Sequence, residues 1–157
     1  MSLHTDPDYW IRDVCPRLAN GLFNITSPKT SDYNCIAWAA GRTDIPWWPI
    51  KAPGVHWPSD CELKATRESF ICAFRTLNYE ECANGDLETG YEKVAIFADE
   101  RGVPTHAARQ LTSGAWTSKL GQGWDIEHPH YKDVEGETNG EAKVFLRRPT
   151  GNGSTSA

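Results

Sequence analysis

Basic residues are in short supply: 16 Lys and Arg stand against 21 Asp and Glu, for a formal net charge of -5. Counterion release and attraction to anionic lipid both need clustered positive charge. Only Arg147-Arg148 forms a small basic pair, so broad binding to nucleic acid or to a membrane surface is excluded. Long apolar runs are missing as well, and none approaches the roughly 18 residues of a bilayer-spanning helix. Residues 1–12 have no basic stretch leading into an apolar one, which excludes a standard signal peptide. The chain is expected to be cytoplasmic or exported by a non-standard route. The five cysteines, Cys15, Cys35, Cys61, Cys72 and Cys82, include no C-x-x-C pair. Their odd number and irregular spacing fit neither a complete disulfide framework nor a zinc site, so mostly free thiols in a reducing compartment are expected. With no repeat and no linker, the chain reads as one domain over residues 1–150 and a disordered tail over 151–157.

Tryptophan and proline are plentiful, at seven and ten residues against a single Met. Three of the Trp and four of the Pro fall in residues 43–58, where Pro46-Trp47-Trp48-Pro49, Pro53 and Trp57-Pro58 rule out a regular helix or a central strand. A long ordered loop is expected there. Before it, residues 8–18 carry Trp10, Ile11, Val14 and Leu18 at helical intervals. Residues 34–40 are small and apolar, which predicts a short buried helix with Asp32 or Asn34 as N-cap and Gly41 as C-cap. After the loop, Ser59-Asp60-Cys61-Glu62 forms a capping box, and Leu63, Phe70, Phe74 and Leu77 share one helical face. Beyond Gly90 the period becomes extended, with strands predicted over 93–98, 105–111, 115–120 and 142–148. The resulting expectation is an α+β fold, N-terminal helices packed on a small antiparallel β-meander.

Cys35 falls in the first turn of the short helix, where backbone N–H groups favour a thiolate. A thiol nucleophile also needs a base, and His106 opens a strand that could present one. If the 105–111 and 115–120 strands pair through an odd-length loop, Gln110 faces Trp116 and Ser118 lies diagonally beside His106; an even-length loop would put Thr117 and Lys119 there instead. Ser118 and His128 are equal candidates for orienting the imidazole. Ser118-Lys119 is not a dyad, because strand neighbours point to opposite faces. Glu127 and His128-Pro129-His130 match no common ligand spacing, so neither metal nor cofactor is expected. Cys15, Cys61, Cys72 and Cys82 are read as structural.

Tyr33-Asn34-Cys35-Ile36-Ala37-Trp38-Ala39, with Val94 to Asp99 and Thr105-His106-Ala107-Ala108, resembles the compact NlpC/P60 and CHAP-like branch of the papain-like superfamily. A closer resemblance, over about residues 25–149, is to a group of uncharacterised microbial domains with YNCIAWA, WW-P, GYEKVA and HAA…WTSKLG segments. The resemblance implies a papain-like fold and a thiol-dependent hydrolase or acyltransferase acting on an amide bond of a peptide or peptidoglycan-like substrate. His106 would draw the proton from Cys35. The Cys35 N–H, with Asn34 or Tyr33, would hold the oxyanion. Trp47, Trp48 and Trp57 would either stack against substrate or wall the cleft and close the core. The alternatives are a non-catalytic binding module using the Trp-rich loop, and a toxin or effector domain; a monomer is expected.

Overall fold

The sheet is built outward from the segment after Gly90, where the chain runs extended through Tyr91–Ala98 and buries every residue from Lys93 to Ala98. The computed structural model describes residues 6–150, so the tail expected at 151–157 lies outside the described residues. In chain order the elements are α1 (Pro7–Val14), β1 (Asn24–Ser27), α2 (Cys35–Ala39), α3 (Arg67–Arg75), β2 (Glu80–Cys82), β3 (Tyr91–Ala98), β4 (Pro104–Gln110), β5 (Trp116–Lys119), β6 (Asp125–His128) and β7 (Glu141–Pro149). Two 3-10 turns lie at Pro16–Leu18 and Tyr131–Val134. All seven strands join one antiparallel sheet in the order β1-β6-β5-β4-β3-β7-β2.

This architecture corrects the expected α+β arrangement of helices on a small meander with a papain-like, NlpC-like fold. The fold is β-rich, a seven-stranded sheet with a few short helices. The β3-β4-β5-β6 run is a meander, but β7 inserts between β3 and β2, and β1 extends the far edge. Three strands escaped the sequence pattern. β1, β2 and β6 are three or four residues long and mostly polar, too short for alternation to stand out.

Strand alternation divides the interior into two cores. Val94 and Ile96 of β3, Ala107 of β4 and Leu146 of β7 face α2, α3 and the Trp-rich loop. Ala95, Phe97, Ala108, Trp116 and Ile126 face the other way, onto Ile11, Cys15 and Leu18 of the N-terminal segment and Val134. We refer to these as the α2 face and the α1 face.

The helices are shorter than their patterns suggested. α1 stops at Val14 because Pro16 lacks an amide proton, and the chain passes into a 3-10 turn. α3 begins at Arg67, not at the capping box of residues 59–62. Thr66 is its N-cap, with Oγ1 accepting the Ser69 N–H at 3.1 Å. Residues 59–66 instead complete the loop, and Cys61 is joined to Cys72 of α3 by a disulfide with a Cα–Cα distance of 5.8 Å. The expectation of free thiols therefore holds for Cys15, Cys35 and Cys82 and fails for this pair. Cysteines eleven apart carry no short-spacing signal; the fold brings them together.

Candidate functional site

Asn34 sets the geometry around the expected nucleophile. Its Oδ1 accepts the Ala37 N–H at 3.0 Å, which makes it the N-cap of α2 and Cys35 the first helical residue. The same oxygen accepts the Trp47 N–H at 3.0 Å, and Nδ2 donates to the Trp47 carbonyl at 2.7 Å. Asn34 is thus committed to the helix start and the loop base, with its oxygen and one of its two amide protons engaged. The Cys35 side chain packs into the α2-face core and is 9 % exposed. Burial pushes its thiol up to about 11, against the opposing pull of the Ala107, Ile36 and Cys35 backbone amides and of the Lys119 charge. At neutral pH it is a protonated thiol.

The β4–β5 register is the one an odd-length loop predicts, with Gln110 opposite Trp116 and Arg109 opposite Thr117. His106, Ala108 and Gln110 consequently share the α1 face, while Ala107 faces α2. Cys35 and His106 are therefore directed to opposite sides of the sheet, and the expected dyad does not form. The imidazole packs edge-on to Phe97 with ring centroids 5.1 Å apart. Its Nε2 lies 3.2 Å from Ser118 Oγ, which lies 2.8 Å from His128 Nε2. Sequence reasoning left open whether Ser118 or His128 orients His106; Ser118 makes the direct contact and His128 acts through it.

The protons in this chain follow from its far end. His128 Nδ1 sits 2.8 Å from the His130 carbonyl, which only accepts, so Nδ1 carries the proton. Neutral His128 then accepts at Nε2 from the Ser118 hydroxyl, and Ser118 accepts from His106 Nε2–H. Burial holds both imidazoles neutral: His106 is lowered to about 3, first by desolvation and then by His128, and His128 is lowered chiefly by desolvation. With both ring nitrogens engaged, His128 has no lone pair for a metal. Among the described residues no group of three or more His, Cys, Asp or Glu side chains is arranged to hold one.

The α2 face carries a second polar cluster that the sequence reading passed over. Lys119 is fully buried, with Nζ donating to the carbonyls of Thr30, at 2.8 Å, and Gly123. It lies 5.2 Å from the centre of the Tyr33 ring, Tyr33 stacks on Trp38 at 5.5 Å, and the Arg109 guanidinium covers Trp38 at 5.2 Å. The Tyr33 hydroxyl donates to Asp125 Oδ2 at 2.5 Å. The available signal was the Gly121-Gln122-Gly123 turn, which sets Lys119 directly opposite Asp125. Tyr33 is tied into this cluster and does not serve as an oxyanion donor.

A family model described as Domain of unknown function (DUF7689) matches residues 24–147. The chain belongs to this family. No curated protein and no solved structure matches it. In this DUF7689 domain the match runs from β1 into β7, so α1, whose Ile11 belongs to the α1-face core, precedes the matched segment.

The tryptophans of the DUF7689 loop are divided in role. Trp47 and Trp57 are buried, edge to face with one another at 6.5 Å, and Trp57 and Trp48 both pack on Phe70 of α3. Trp57 Nε1 also donates to the Glu62 carbonyl and to Ser69 Oγ, each at 3.1 Å. They wall and anchor the loop; no stacking platform is formed by Trp47 and Trp57. Above these anchors the loop closes a pocket of about 290 Å³, lined among others by Ile50, Val55, His56, Trp57, Pro58 and Leu63. Ile50 and Leu63 remain 48 % and 52 % exposed. At the β3–β4 turn a larger and slightly more enclosed cleft of about 720 Å³ is bordered by Asp99, Glu135, Glu141 and Arg17. Neither cavity is lined by Cys35 or His106.

Proposed function

We propose that this domain is a binding module whose Trp-rich loop takes an apolar side chain, or an apolar group of similar size, from a peptide or small ligand. The supporting observation is the loop pocket itself. Its floor is held by Trp57 in the core, its far wall by the Cys61–Cys72 bond, and its rim leaves Ile50 and Leu63 half in water. The recess is shallow and mixed, with Ile50, Val55 and Leu63 to receive an apolar group and Lys51, His56 and Ser59 as a polar edge to orient it, and about 290 Å³ suits a fragment-sized group. No described helix is long and apolar enough to cross a membrane. Of the two locations read from the sequence, cytoplasmic or exported by a non-standard route, the disulfide favours export, since cytosolic thiols are kept reduced.

The test is titration with N-acetyl-leucinamide followed by NMR. Shifts concentrated at Val55, Trp57 and Leu63, and abolished by Leu63→Asp, support the pocket; shifts scattered over the surface or centred on the β3–β4 turn refute it.

A second reading, a thiol-dependent hydrolase or acyltransferase without the His106 pair, draws on one observation: Cys35 is the first residue of α2, where free backbone N–H groups favour a thiolate. It requires Cys35 to be alkylated by iodoacetamide in the folded state at neutral pH, ahead of half-buried Cys82. Labelling of Cys82 alone would remove it.

A further inference from the structure

We infer that the Cys61–Cys72 disulfide is a redox control on the loop pocket, so that reduction weakens ligand capture without unfolding the domain. This rests on the pocket reading above and adds its regulation.

The loop is held at three places of different kind. At its base, Trp47 and His56 form a bridge, with the His56 N–H donating to the Pro46 carbonyl at 2.9 Å and the Trp48 N–H to the His56 carbonyl at 3.0 Å. At its middle, Trp57 is locked into the core beside Phe70. Both of these are packing and backbone contacts indifferent to redox conditions. The far wall, residues 58–63, differs. Its attachments to α3 are the Ser69 hydroxyl on the Glu62 carbonyl, at 2.5 Å, and the covalent bond from Cys61 to Cys72. Cys61 itself lines the pocket, beside Pro58 and Leu63. The one reversible covalent tie therefore acts directly on the wall that the ligand touches.

The two sulfurs are unequally accessible, which sets the direction of attack. Cys61 is buried, whereas Cys72 is half-buried, with its Sγ beside the Asp60 carbonyl at 3.8 Å on the outer side of α3. A thiolate of an external dithiol attacks Cys72 Sγ and the Cys61 thiolate leaves, taking a proton from water. The second thiol of the reagent then resolves the mixed disulfide and releases Cys72 as a thiol. In sum, one disulfide and one dithiol become two protein thiols and one oxidised dithiol. With the tie cut, residues 58–63 must be ordered at the moment of binding, and that ordering is subtracted from affinity. The bond lies within the α2-face core, where Cys61 is one member and Cys72 packs against it, and the α1-face core contains neither; the remaining contacts among Phe70, Phe74 and the sheet keep the domain folded when the bond is cut.

The experiment titrates N-acetyl-leucinamide into the full chain, air-oxidised and then dithiothreitol-reduced, with mass spectrometry after iodoacetamide to count thiols. Circular dichroism confirms that both forms are folded. Binding about tenfold weaker in the reduced form, matched by a dithiol-insensitive Cys61→Ser/Cys72→Ser double variant, is the expected result. Equal affinity in both redox forms overturns the control and leaves the pocket reading standing. Absence of binding in either form overturns the pocket reading and the control with it. Five free thiols in the oxidised chain overturn the control alone. Should the double variant fail to fold, the reduced wild-type chain carries the same comparison.

Discussion

The two faces of the sheet bury reactive side chains by different means. On the α2 face, Cys35 heads α2 and lies within the electrostatic reach of Lys119, yet is kept protonated by desolvation. On the α1 face, His106 is satisfied by a one-directional chain through Ser118 to His128 and the His130 carbonyl. One residue of β4 separates the two environments, since Ala107 serves the first and His106 the second. The thiol and the imidazole, carried by elements that pack together, are thus insulated by the pleat.

The largest expected effect tests how tightly the α1 face is sealed. Phe97→Ala, which strips the ring from His106, should cost about 3–5 kcal/mol in urea unfolding. A cost under about 1 kcal/mol would mean that this face is loosely packed. Acid should separate the faces next. His106 has a folded value depressed to about 3 from 6.5, so the unfolded chain binds the proton first as pH falls. The stability conferred by the neutral imidazole is fully present above about 6.5 and drains away toward 3, at up to about 1.4 kcal/mol per pH unit. His106→Leu should flatten that slope, whereas Cys35→Ala should leave it unchanged; an unaltered slope in the histidine variant would contradict the assignment. Ser118→Ala, which unpairs an N–H and a ring lone pair together, should cost about 1–3 kcal/mol, read as a shift in urea midpoint. Smallest is a difference in thiol labelling: Cys82 should react readily at neutral pH, while Cys15 and Cys35, raised by burial to about 12 and 11, should lag until unfolding. Similar rates for all three would erase the distinction between buried and accessible sulfur.

Much of this was legible in the sequence where a regular period had room to repeat. β3, β4, β5 and β7 were readable from alternation, whereas the α2 cap and the β4–β5 register were each narrowed to two alternatives, which the structure decides for Asn34 and the odd-length loop. The missing strands were too brief, and the start of α3 was set by competition between two capping sequences, of which Thr66 prevailed over Ser59. The side relation of Cys35 and His106 was hidden for a deeper reason. A period of two states which side chains travel together along a strand, but not which face a preceding helix will cover. Ser118 could be placed beside His106 because both belong to the sheet; Cys35 could not, because α2 does not.

Asn34 has a mechanical consequence. One carboxamide fastens both the first turn of α2 and the backbone of Trp47. A tug on the rim of the loop is therefore delivered to the amides around Cys35, and a rotation of that helix end would be felt at the tryptophans. Two stretches thirteen residues apart in sequence behave as the arms of a single lever, with this side chain as the pivot.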